Sequence, residues 1–202
     1  WNFGIYNIII EIDGPEIPLM DGSCEYFIFL IKSAGIKTLN NEKQHYIKLL
    51  KDIKLERESD ITIYAYPNKN NILEIEYNLN FENISNLEKN SFIFNSKMSF
   101  ESEISYARTF SVEKEINGKK ILNPFLNQHN AIIYKNDHFI TNEKSLRYHN
   151  EPTRHKILDL IGDLMIFEYP LIANIKANRS GHFLNQKLVQ KILSDKSNYE
   201  IL

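Results

Sequence analysis

Apolar and polar positions along this chain fall into short strand-like runs and three longer amphipathic stretches. Asn7–Ile12 (NIIIEI) is β-branched and predicts a buried strand. Asp13–Gly22 holds two Gly and two Pro, which predicts a connection built from turns. Glu25–Ala34 predicts a helix with Ser23 as N-cap and Gly35 as its stop. Residues 1–39 thus read as strand, loop and helix, half of a small αβ layer. The polar stretch Leu39–Lys43 marks a boundary.

Beyond it, Tyr46–Glu56, Ile61–Tyr66 and Ile72–Leu79 alternate or run apolar and predict strands. The turn-rich Pro67–Asn71 suggests that the last two form a hairpin. Phe92–Phe100 predicts a further strand and Ser102–Ala107 a short helix. Val112–Ile116, a turn at Gly118 and Leu122–Gln128 read as an irregular insert. Ala131–Tyr134 and His138–Thr141 predict a hairpin about Lys135–Asp137. Thr153–Phe167 predicts a helix ended by Pro170, Ile172–Ala177 a strand, and His182–Leu193 a final amphipathic helix. Strands followed by helices predict an α+β layered fold.

Composition narrows the function classes. The chain has 202 residues, 43% hydrophobic and 25% charged, as in ordinary globular proteins. Its net charge of −2 gives no general footprint for nucleic acid. The single Cys, Cys24, excludes an intrachain disulfide and suits a reducing compartment. No apolar run is long enough to cross a bilayer. The chain opens on Trp1 without a basic leader and reads as though entered in mid-sequence.

The most informative stretch is Arg154–Asp163 (RHKILDLIGD). His155, Asp159 and Asp163 recur every four residues, so they lie along one side of a helix. Ile157, Leu158, Leu160, Ile161, Leu164 and Met165 cover the rest with apolar surface. A His and two carboxylates on such a helix need satisfying, by a metal ion, by hydrogen bonds or by exposure. Spacing alone leaves all three open, because HxxxD is common.

The second candidate is Arg179-Ser-Gly-His182, a His at a loop-to-helix junction where it can face a cleft or simply cap. Asp163 would raise its pKa if the two helices are adjacent. The third is Arg108-Thr-Phe110, whose Thr109 could donate to a developing oxyanion or merely cap a helix. Lys156, beside His155, could supply positive charge to a substrate carbonyl or be solvated. His45, His129, His138 and His149 sit in polar or turn contexts and read as surface residues. Cys24 reads as a packed thiol. There is no glycine-rich phosphate loop, no CxxC and no GxSxG elbow.

Taken in order, the motifs resemble the UDP-3-O-acyl-N-acetylglucosamine deacetylases, zinc amidases of lipid A synthesis. The resemblance is carried by Gly4–Asn7, Ile10–Ser23, Ala34–Ile36, Ile104–Phe110, Asn130–Ile132, Arg154–Leu164 and Ser180–Asn185. Leu39–Phe100 matches only in hydrophobic pattern. The resemblance implies that His155 and Asp159 are two of three protein ligands of a catalytic Zn(2+) with an open position for water. It implies His182 as the general acid with Asp163 as its partner. Thr109 and Lys156 would support the oxyanion. Phe110, the insert around Val112–Leu126 and Arg179 would contact the substrate.

The same resemblance implies two similar two-layer α/β-sandwich domains. Residues 1–40 would be the C-terminal part of the first and residues 41–202 the second, bearing the site. It implies a cytoplasmic monomer acting on UDP-3-O-acyl-N-acetylglucosamine, without nucleic acid and with at most transient contact with a membrane surface. The family's third ligand, a His, and its general-base Glu lie on a helix before the position of Trp1. Residues 1–202 alone are therefore expected to be inactive. Asn123–His129 departs from a glycine-rich family segment, and Ser111 replaces a common Gly. A competing expectation is a decayed relative that binds a nucleotide-sugar or a protein partner without turnover. A third, an unrelated HxxxD metal protein, leaves the Asp13–Ser23 loop unexplained.

Overall fold

The computed structural model describes residues 2–5, 7–39, 43–80, 90–116, 119–121, 123–135, 138–143 and 145–202. In chain order the elements are α1 (Glu25–Ala34), β1 (Ile47–Leu49), β2 (Ile53–Glu58), β3 (Ile61–Tyr66), β4 (Leu73–Leu79) and β5 (Asn90–Asn95). A single wide helical turn, Glu101–Ser105, follows. Then come β6 (Phe110–Val112), β7 (Lys114–Ile116), β8 (Lys119–Ile121), β9 (Ile132–Lys135), β10 (His138–Ile140), α2 (Glu151–Leu164), β11 (Leu171–Asn178), α3 (His182–Leu193) and β12 (Tyr199–Ile201).

Strand β11 is the spine of a seven-stranded sheet. Its first residues pair in parallel with β1, which in turn pairs antiparallel with β12. Its remainder pairs antiparallel with β3 on one side and parallel with β4 on the other, Ile175 lying opposite both Ala65 and Ile75. Strand β2 completes one edge beside β3, and β5 the other beside β4. Helix α2 packs over β4 and β5, α3 over β2 and β3, and the two helices touch. Both therefore cover the same face of the sheet. Mixed pairing with helices gathered on one face is an α+β arrangement.

The alternation in β4 explains why it lies flat under α2. Leu73, Ile75, Tyr77 and Leu79 point inward and are buried, with partly covered residues between them. They meet Ile157, Leu160 and Leu164 of α2 and Leu184, Leu188 and Ile192 of α3 in one core. Each fully buried side chain of this kind contributes about 1.5–3 kcal/mol of transfer free energy. The opposite face is polar. Tyr64 stacks on Tyr66 at 4.9 Å, and Lys176 pairs with Glu76 at 3.0 Å.

Several expectations give way here. Strands β3 and β4 do not form a hairpin, because β11 lies between them. Pro67–Asn71 instead passes over β11 at Asn174, which donates to the Pro67 carbonyl at 2.9 Å and accepts from Asn68 at 2.7 Å. Local pattern marks strands but not their partners. The run Tyr46–Glu56 is broken into β1 and β2, and Phe92–Phe100 keeps only its first part as strand. Asn7–Ile12 forms no strand, and Ile8, Ile9 and Ile10 are exposed, Ile9 at 89%. An extended run becomes a strand only when a ladder partner satisfies its backbone, and no described strand pairs with it. Helix α2 stops at Leu164, before Pro170 can act, with the Met165 N–H turned back to Gly162 O. Strand β12 was too short to read. Glu25–Ala34, Ile61–Tyr66 and His182–Leu193 have the expected bounds.

The expected turn at Gly118, the first residue of the insert's last stretch, Leu122, the turn residues Asn136 and Asp137, and residues 40–42 of the boundary lie outside the described residues. Strands β9 and β10 do pair antiparallel, and β6 joins β9 in parallel.

The loop before α1 is fastened to the rest of the chain. Thr109 N–H donates to Gly22 O at 2.8 Å, and Cys24 N–H to Ser105 O at 2.9 Å. Gly22 has φ +84°, and a Cβ there would lie 2.2 Å from Asn130 O, so only glycine fits. Ser23 bonds Glu25 N–H at 3.2 Å, although Cys24 is the residue at the helix boundary.

Candidate metal and acid–base site

Helix α2 presents its polar row as the sequence spacing requires. His155 lies in the second turn and is buried. Its Nδ1 lies 2.9 Å from Ala107 O, which has only lone pairs, so Nδ1 carries the proton. Its Nε2 faces Asp159 Oδ1 at 3.3 Å. Lys156 Nζ donates to the other oxygen, Asp159 Oδ2, at 2.8 Å.

Burial pushes the Asp159 carboxyl up, but the His155 and Lys156 charges and hydrogen bonds outweigh it and hold the group well below the usual carboxylate range. Asp159 is therefore a carboxylate at neutral pH. An imidazole nitrogen and a carboxylate oxygen converge on one side of α2. Among the described residues no group of three or more His, Cys, Asp or Glu is placed to hold a metal ion.

One turn further, Asp163 serves a different partner. Its Oδ2 lies 2.9 Å from His182 Nδ1, at the first residue of α3. Asn185 Nδ2 donates to the same oxygen at 2.9 Å, and Gln186 Nε2 reaches Oδ1 at 3.4 Å. Asn185 is itself oriented by the Ser180 hydroxyl at 2.7 Å, while Ser180 O accepts from Tyr77 OH. The His182 side chain is 63% exposed whereas that of Asp163 is 9% exposed. An anchored carboxylate thus holds an open imidazole by one nitrogen and leaves the other to solvent.

The remaining candidates are placed as follows. Thr109 is partly buried between Gly22 and β9, with its carbonyl accepting from Ile132 N–H at 2.9 Å. Phe110 opens β6 and meets Tyr134 edge-on at 6.2 Å. Arg179 has φ +51° and pairs with Asp60, so it sits at a turn with its guanidinium engaged. Cys24 is partly buried, and burial first, then the Asp21 and Asp159 charges, pushes its thiol up to about 11.

Sequence reading missed Asn185, although its place three residues after His182 on one helix face was a usable signal. It also missed the Ala107 carbonyl, which no side-chain motif can announce.

Two histidine–carboxylate pairs, His155 with Asp159 and His182 with Asp163, thus draw on one polar row of α2 in an α+β scaffold. The family model described as LpxC, UDP-3-O-acyl N-acetylglycosamine deacetylase, matches residues 1–194, and the chain belongs to this family. A UDP-3-O-acyl-N-acetylglucosamine deacetylase of Photobacterium profundum is 38% identical over 199 residues, covering 98% of this chain. The enzymes of that name from Vibrio parahaemolyticus and Vibrio cholerae are 37% and 36% identical. The chain spans 64% of the length of these relatives.

Proposed function

We propose that the full-length protein is a zinc-dependent deacetylase that hydrolyses the acetamide of UDP-3-O-acyl-N-acetylglucosamine, the committed step of lipid A synthesis. The observation that carries this reading is the division of one helical row into two pairs, His155 with Asp159 and Asp163 with His182, in a chain matched by that family model.

The residues fit a zinc site. A ligating imidazole is usually fixed by a hydrogen bond from its other nitrogen, and the Ala107 carbonyl performs this for His155. Asp159 is ionised, as a ligand must be. His155 and Asp159 are the two ligands this chain supplies. Zinc bound there supplies Lewis acidity and a water of lowered pKa.

His182 delivers a proton to the leaving amine from Nε2, while Asp163 holds Nδ1. Asn185 keeps Asp163 aimed. Lys156 lends positive charge beside the ligand pair, and Thr109 donates to the oxyanion. Phe110 and the insert at 112–126 contact the acyl chain, and Arg179 the nucleotide side of the substrate. In this reading residues 1–40 belong to one two-layer domain and 41–202 to a second. The enzyme works as a cytoplasmic monomer. No described helix is long and apolar enough to cross a membrane.

The test is acetate release from UDP-3-O-acyl-N-acetylglucosamine by the full-length protein, before and after chelation and zinc return. Release that stops with chelator and resumes with zinc is expected. No release from the zinc-loaded protein overturns the proposal.

A further inference from the structure

Two consecutive residues of the 107–109 segment grip two residues of α2 that lie one turn apart. Ala107 O takes the His155 Nδ1 proton at 2.9 Å. Arg108 takes Glu151, with its backbone N–H at 2.9 Å and Nε at 2.8 Å from Oε1, and Nη2 at 3.1 Å from Oε2. Glu151 and His155 are four apart, so they share one side of α2.

The ion pair is sealed, with side-chain exposures of 1% for Arg108 and 0% for Glu151. Its remaining valences are filled. Arg147 N–H donates to Oε2 at 2.7 Å, and Arg108 Nη1 donates to Thr141 Oγ1 at 2.7 Å. A sealed ion pair adds little stability over apolar residues of the same volume, because both charges lose their hydration. What a bidentate fork provides is register.

The geometry points to Arg108 and Glu151 as positioning residues for the His155 imidazole. Their fork locks the 107–109 segment against the first turns of α2. The Ala107 carbonyl then accepts from Nδ1 and turns Nε2 toward Asp159. Thr109, the next residue, is set by the same lock and by Gly22 O. The functional consequence rests on reading His155 as a metal ligand; the geometric content does not.

The experiment uses the full-length protein with 15N-labelled histidine, as parent, Glu151→Gln and Arg108→Lys. Long-range 1H–15N spectra of the metal-free protein read the His155 tautomer, and zinc titration reads affinity. The parent is expected to keep a proton on Nδ1. Glu151→Gln keeps the shape and loses the charge. It is expected to mix tautomers and to bind zinc about 10–100-fold more weakly, as for other residues that orient a ligand. Arg108→Lys keeps the charge and loses the fork, with a smaller loss in both readings.

A folded Glu151→Gln with the parent's tautomer and zinc affinity overturns the inference. Should that variant fail to fold, Arg108→Lys decides by the same two readings, and parental values overturn it. A tautomer change in a protein that takes no zinc at His155 supports the positioning role and defeats the metal reading alone.

Discussion

Asp163, in the last turn of α2, holds the first residue of α3 through its imidazole, with His182 Nδ1 2.9 Å from Asp163 Oδ2. The carboxylate is covered and the imidazole is open, so a proton can be exchanged on one side only. If the full-length protein acts as proposed, His182→Ala is expected to lower kcat about 100- to 10,000-fold, the usual scale of general acid–base catalysis, with metal content near that of the parent. Parallel turnover assays and elemental analysis decide it. Loss of the metal in this variant contradicts the proton-transfer role.

His155→Ala should behave differently, with metal and activity disappearing together. Elemental analysis after dialysis against a mild chelator is the measurement. Retained stoichiometric zinc would show that the ligand lies elsewhere.

Gly22→Ala places a methyl group 2.2 Å from Asn130 O at a backbone φ of +84°. Both the clash and the left-handed backbone oppose it, and a cost of about 1–3 kcal/mol is expected from the strain alone. Urea unfolding reads the loss. Because Gly22 O also holds Thr109 N–H, the variant should lower kcat before it lowers substrate affinity.

The Asp21–Arg147 pair, at 2.8 Å, gives a pH dependence with a definite sign. Burial pushes the Asp21 carboxyl up, but the Ser23 hydroxyl and N–H and the Arg147 guanidinium outweigh it and hold the group below its ordinary 3.8. A carboxyl depressed in the folded state stabilises the fold above its unfolded value. That contribution is lost as pH falls below about 4 and through the folded value. Arg147→Met should therefore be less stable than the parent at pH 7, with a difference that shrinks below about pH 4. Urea unfolding at a series of pH values checks it. An unchanged gap at pH 3 contradicts the assignment.

Cys24 should resist alkylation at neutral pH, since its thiol titrates only near about 11. Iodoacetamide labelling of the native protein should be slow at pH 7.5 and rise steeply above about pH 10, because the thiolate is the nucleophile. Rapid labelling at neutral pH would mean that the thiol is neither buried nor opposed by Asp21 and Asp159.

The helices were the legible part of the fold. Glu25–Ala34 and His182–Leu193 carry their own boundaries, in Gly35 and in the Arg179–Gly181 turn. Their apolar periodicity is local, as is the alternation that marks β3 and β4. Strand partnership is not local. Nothing in Ile61–Tyr66 or Leu73–Leu79 says that β11, about a hundred residues on, separates them. Asn7–Ile12 shows the same limit from the other side, since its β-branched run has the propensity of a strand and no described partner.

The site divides along the same line. The four-residue recurrence of His155, Asp159 and Asp163 was set by the sequence, because helical periodicity alone places them on one side of α2. Periodicity does not say which of them meets which partner; the resemblance implied it, and tertiary structure brings the partners within reach. The adjacency of α2 and α3 gives Asp163 to His182, and the close pass of residues 107–109 turns His155 toward Asp159. A helix fixes the angular order of its own side chains, whereas the partners of those side chains depend on elements that only packing brings near.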